Sequence, residues 1–298
     1  MRERSNPTDL LMGPQLHALT RSLPGARKGD APLVHRARVA TRRLREVLPV
    51  VLPGARGRRL ERRVRRLTRA LGPVRELDVA LQTLEELNAA DDAPRAGIAR
   101  LKQVIRQERT RVYAEMRKEV ERVDVGKLRR RMTKAARKRR LGSPPSKARQ
   151  AKRVASAAAR VARRAVRLRA AIDSAGSIYL SDRLHEVRVA VKKVRYASEV
   201  AQQLRGSRAV TSLRRLKEAQ DLLGRMHDLE VLIARVRDVQ GSKAPNLRLS
   251  SDLDRLVRRL EAECRQLHGH YMTSRKALLA ICDRAGAGSS KSHVSSAA

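Results

Sequence analysis

Apolar residues recur at three- and four-residue spacing along almost the whole chain, and Gly and Pro interrupt them. That period marks amphipathic helix. The pattern predicts helices at about 8–22, 32–51 and 56–71. After Gly72-Pro73 helix resumes to about 89. Asp91-Asp92-Ala93-Pro94 reads as a helix start, with a long helix running to about 122. The second half follows the same plan, with helices at about 147–173, 178–205, 208–223, 225–240 and 247–284. Short connections between long helices place neighbours antiparallel. The expected class is all-α: one unit over 8–284, made of two up-and-down helical bundles at 8–140 and 147–284. The boundary falls in Leu141-Gly142-Ser143-Pro144-Pro145-Ser146. From Gly286 the chain is rich in Gly, Ser and Ala, and residues 285–298 are expected to form a disordered tail.

The halves also repeat in sequence. Val34-His35-Arg36-Ala37-Arg38-Val39-Ala40-Thr41-Arg42-Arg43-Leu44-Arg45 is answered by Leu184-His185-Glu186-Val187-Arg188-Val189-Ala190-Val191-Lys192-Lys193-Val194-Arg195, 150 positions later. Leu71-Gly72-Pro73-Val74-Arg75-Glu76-Leu77-Asp78-Val79 is answered by Leu223-Gly224-Arg225-Met226-His227-Asp228-Leu229-Glu230-Val231, 152 positions later. Two motifs in the same order at nearly one offset read as an internal duplication. The bundles are then expected to be related by a pseudo-twofold axis.

Each signature segment has two faces when residues are placed about 100° apart. His35, Arg38, Arg42 and Arg45 fall within a sector of roughly 80°. Ala37, Ala40, Leu44, Val47 and Val51 lie opposite. In the second copy His185, Arg188, Lys192 and Arg195 share one face, and Val187, Ala190, Val194, Ala197 and Ala201 the other. Arg43 and Lys193 lie beside the ridges. Cations three and four apart are neighbours on a helix surface, and their crowding is unfavourable unless anions sit between them.

Charge enlarges this picture. The chain of 298 residues carries a formal net charge of +39, so a polyanionic partner is expected. Between Val125 and Ile172 there are 18 Lys or Arg and no Asp or Glu, and the helical spacing after Lys147 favours a basic helix over a tail. There is no Trp, no Phe and only four Tyr, so the core must be aliphatic. Cys264 and Cys282 have neither disulfide-framework nor CxxC spacing, which fits a reducing compartment. No apolar run reaches a membrane span and no signal-peptide core is found, so a cytoplasmic protein without membrane contact is expected.

The histidines do not form a metal set: neither His35 nor His185 has a second His three or four positions on, and His268 and His270 face different ways. No metal and no cofactor are expected. His227, beside Asp228, reads as a capping and packing element. No nucleophile–base–acid constellation accompanies the histidines.

The paired His-x-x-Arg-x-x-x-basic-basic-x-Arg pattern and the two Leu-Gly motifs resemble the CHAD family, the conserved histidine α-helical domain, over about 8–284. The resemblance implies paired helical bundles with a basic surface that binds inorganic polyphosphate, and association with polyphosphate granules. Carried onto this chain, the binding residues are His35, Arg38, Arg42, Arg43, Arg45, His185, Arg188, Lys192, Lys193 and Arg195, with no catalytic residue. Many family members are fused to a CYTH triphosphatase domain marked by Glu-x-Glu-x-Lys. Here the nearest match, Glu261-Ala262-Glu263-Cys264-Arg265, lies on an expected helix and ends in Arg, so that activity does not carry over. The rival reading is a basic helical protein that binds nucleic acid. Scarce aromatics count against single-strand binding but not against a duplex. An enzyme acting on phosphate chains through His35 or His185 lacks an acidic metal site.

Overall fold

The computed structural model describes residues 7–141, 147–206, 210–241 and 246–294. Among them are nine α-helices and no strand: α1 (Pro7–Ala26), α2 (Ala31–Val51), α3 (Ala55–Asn88), α4 (Arg95–Glu121), α5 (Val125–Leu141), α6 (Lys147–Ala175), α7 (Ser181–Arg205), α8 (Val210–Gly241) and α9 (Leu247–Val294). Most of the boundary expected at 141–146 lies outside the described residues. So do the last four positions of the expected tail.

Three expected breaks are absent. α3 runs through Gly72-Pro73, α8 through Gly224, and α1 through Pro24-Gly25. In α3 the reason is packing. Leu71, Val74 and Leu77 are buried on both sides of Pro73 and hold one helical register. α9 likewise continues past Gly286 into the stretch expected to be disordered. That stretch holds no proline, and a glycine costs about 1 kcal/mol in a helix without ending it.

Neighbouring helices pack in sequence from α1 to α4, and α6 to α9 close into a ring of four. α4 joins the two groups by packing on α9. The buried aliphatic residues form two clusters, and neither keeps to one half of the chain. One gathers α1, α2, the first half of α3 and α5, with Val200, Ala201 and Leu204 of α7. The other gathers α8, α9, the second half of α6 and Leu184, Val187, Val191 and Val194 of α7, with Leu77–Leu87 of α3 and Ile98, Leu101 and Ile105 of α4. At about 1.5 Å per residue, a helix as long as α3 outruns one core and enters the next. The two clusters therefore share helices: α3, α4, α6 and α7 contribute to both. Cys264 and Cys282 are free and buried in α9. No helix among the described residues is long and apolar enough to cross a membrane.

Asp91 and Asp92 do not cap α4. Its first residue follows Pro94, which supplies no side-chain cap. The cap comes from α9: Asp252 Oδ2 accepts from the backbone N–H groups of Ala96 (2.9 Å) and Gly97 (3.3 Å). Gly97 lets the two helices come close there, since a Cβ would sit 3.2–3.3 Å from Asp252 and Leu253. Asp252→Ala is expected to lower stability by about 1 kcal/mol, read as a lower denaturation midpoint with an unchanged slope.

Candidate anion site

α2 and α7 pack together, and so do α3 and α8. This puts the cationic faces of the two signature helices in one place. Arg38 and Arg42 of α2 lie within electrostatic reach of Arg188 and Lys192 of α7. All four are partly buried. The opposite faces are core: Ala37, Ala40, Leu44, Val47 and Val51 are buried, as are Val187, Val194, Ala197 and Ala201.

Burial of like charges leaves its mark on ionisation. Desolvation, with Arg188 and Arg42 close by, pushes the Lys192 ammonium down to about 6, against the partial help of Asp228. Desolvation and Arg42 push Arg38 down to about 10. Burial lowers Arg188 as well. Here protons are held weakly and an anion would be welcome.

Arg38 is fixed in this position. Its Nη1 donates to the backbone oxygen of Thr68 on α3 at 3.1 Å. It can approach because residue 72 has no side chain: a Cβ on Gly72 would stand 2.8 Å from Arg38 Nη1. The Leu-Gly motif in the first half thus makes room for an arginine and not for a turn.

α3 and α8 add charges that the ridges alone do not contain. Arg75 and Glu76 of α3, with Asp228 of α8, face the cluster. The two carboxylates offset part of the positive charge and leave an excess. Burial raises the Asp228 carboxyl despite Arg188 and Lys192 beside it. His227 does not open a helix. It lies within α8 with its Nδ1 3.3 Å from His185 Nδ1, the ring centroids 4.6 Å apart.

The remaining expected site residues scatter. His35 is exposed near Arg75 and Arg38, and burial of part of its ring lowers its pKa. Arg45 points toward Arg65, Glu46 and Glu61. Arg195 Nε donates to Gln220 at 2.9 Å, its guanidinium also pairs with Glu199, and it lies 4.4 Å over the Tyr196 ring. Arg43 faces the same Glu199 at 3.8 Å. Lys193 is exposed, and its backbone oxygen accepts from Arg164. Arg43 with His35, and Lys193 with His185, line separate open grooves between α1 and α2 (670 Å³) and between α6 and α7 (380 Å³). The centre is therefore Arg38, Arg42, Arg188 and Lys192, with a histidine beside each pair.

Sequence reasoning passed over Arg75, Glu76 and His227 as site residues, although the second repeated motif aligned them. It also passed over eight exposed arginines between Arg56 and Arg69 on α3, which a count of charge per helix would have found. Among the described residues no group of three His, Cys, Asp or Glu is placed to hold a metal.

The sequence profile of the CHAD domain matches residues 11–237. No curated protein matches the chain. Solved structures share its fold, among them the following two. The CHAD domain from the plant Ricinus communis is 19% identical, with a TM-score of 0.60, covering 93% of this chain and 90% of that one. PptA from Streptomyces chartreusis is 16% identical, with a TM-score of 0.57, covering 91% and 98%.

Proposed function

Because the chain belongs to the CHAD domain family, we propose that it binds inorganic polyphosphate without chemical turnover and associates with polyphosphate granules. One observation carries this reading: Arg38 and Arg42 meet Arg188 and Lys192 in a partly buried cluster whose carboxylates do not balance it. Nε of Arg188 is buried without a hydrogen-bond partner, an unused donor of the kind that phosphate oxygens satisfy. The ligand carries a charge on every unit and no base, so the site needs arginines and no aromatic platform. The exposed arginines of α3 and the basic surfaces of α5 and α6 extend the field around the cluster.

The exposed basic helices also suit a nucleic-acid duplex, so the test is a competition. Long-chain polyphosphate is expected to displace duplex DNA at equal phosphate concentration and near-physiological salt. Both affinities are expected to fall steeply with salt, because each contact releases counterions. Preference for DNA at every salt concentration would defeat the polyphosphate reading.

A further inference from the structure

The two ends of the cluster are built differently. Position 227 in the second half aligns with position 75 in the first; one is histidine and the other arginine. Glu230 aligns with Asp78 in the same way. Asp78 is tied to Arg109 at 2.6 Å, whereas Glu230 accepts from the Tyr179 hydroxyl at 2.5 Å. The first-half end thus surrounds its carboxylate with guanidinium groups, which only donate hydrogen bonds. That end has one imidazole, His35, beside Arg75 and Arg38, whereas the second-half end brings two into contact, and imidazoles both donate and accept.

The Nδ1-to-Nδ1 contact of His185 and His227 sets what that pair can offer. Two lone pairs or two N–H groups cannot face each other at that distance, so one ring donates and the other accepts. Burial and the adjacent Arg188 hold both rings below their usual range, His227 at about 4, and both are neutral at neutral pH. The ring that donates through Nδ1 keeps a bare Nε2. The ring that accepts carries its proton on Nε2. At their two Nε2 atoms the pair presents one acceptor and one donor. No hydrogen bond among the described residues uses either atom.

An interior phosphate of a chain is fully ionised and can only accept. A terminal phosphate has a second proton that leaves near pH 6, so at neutral pH about one terminal group in ten still carries it, and a group bound in that form offers both an O–H and an O⁻. Only the terminal group matches a donor–acceptor pair; an interior phosphate would set its lone pairs against a bare nitrogen. We propose that His185 and His227, with Arg188 and Lys192, form a subsite for the terminal phosphate of a polyphosphate chain, while Arg38 and Arg75 hold interior phosphates. This rests on the polyphosphate reading above.

The test compares linear triphosphate, which has two ends, with cyclic trimetaphosphate, which has none. Long-chain polyphosphate serves as a third ligand. Affinities are measured by calorimetry at neutral pH for the wild type, His227→Arg, His185→Arg and Arg75→His. His227→Arg copies the residue of the first half. It is expected to reduce the linear-over-cyclic preference about tenfold, the worth of one hydrogen bond to a charged group, and to keep long-chain binding. His185→Arg removes the same pair from the other side, so misfolding of one variant leaves the other to decide. Arg75→His is expected to keep the preference while weakening both small ligands. An unchanged linear-to-cyclic ratio in the folded histidine variants overturns the subsite. So does failure of the wild type to bind linear triphosphate while it binds long chains. Failure of the wild type to bind any of the three defeats the polyphosphate reading itself, a separate result.

Discussion

Replacing Arg38, Arg188 and Lys192 together by glutamine is expected to weaken polyphosphate binding at least about a hundredfold. Each charge-assisted hydrogen bond is worth about 1.5–3 kcal/mol, and a loss of two or more such contacts exceeds two decades in affinity. The matched control is Arg43→Gln, Lys193→Gln and Arg195→Gln. It removes the same formal charge from the same two helices but is expected to cost less than about tenfold. Arg43 and Arg195 are already committed to Glu199, and Lys193 is solvated, where an exposed charge contributes little. Stability in the absence of anion should move the other way. The first variant relieves crowding among buried cations and is expected to melt higher than the wild type, so weaker binding cannot be confused with unfolding. Equal losses of affinity in variant and control would mean that the cluster is not the site.

Affinity is also expected to decline as pH rises above about 6, with Lys192 as the main cause. In the free protein its ammonium is held down to about 6 by burial and by Arg188, Arg42 and Arg38, with Asp228 opposing. A bound phosphate raises it, so the complex takes up a proton between the free and the bound pKa. Binding then weakens with pH across that window, by at most about tenfold per pH unit for one proton. The sign for folding is opposite. Between about 6 and the ordinary lysine value near 10.4 the unfolded chain holds a proton that the folded protein does not. This group's contribution to the stability of the free protein therefore rises with pH across that range. Lys192→Arg keeps the charge at all these pH values and is expected to bind tightly with a flat profile above pH 6. His35 and His185 are lowered from 6.5, and replacing both with glutamine should flatten only the acid side. A Lys192→Arg profile that parallels the wild type would place the titrating group elsewhere.

Much of this was legible in the sequence because helix faces are local. A period of 3.6 assigns every position of α2 and α7 to a side, so the buried stripe of Ala37, Ala40, Leu44 and Val47 and the cationic stripe of Arg38 and Arg42 follow from spacing alone. Helix class, the aliphatic core and the two histidine motifs followed in the same way. Breaks were less legible. Gly72-Pro73 reads as punctuation, yet Leu71 and Val74 are buried on either side of it and tertiary packing overrides the local preference.

What the tertiary structure alone decided is which ridge residues meet. Spacing treats Arg38 and Arg195 alike, as members of equivalent stripes. In three dimensions Arg38 reaches across a bare Gly72 into the centre, whereas Gln220 and Glu199 hold Arg195 at the flank. No periodicity encodes those partners, because they lie on other helices or depend on side-chain direction. His227 makes the same point. The sequence placed it on a helix beside an aspartate, but its ring acquires a role only where α8 crosses α7 and brings it to His185. The sequence determined the helices, their faces and the excess of positive charge, since these depend on residues a few positions apart. The chemistry of the site depends on contacts between residues 30 to 154 positions apart in the chain, from Arg38–Thr68 to Arg38–Lys192, and only the packing of the helices creates them.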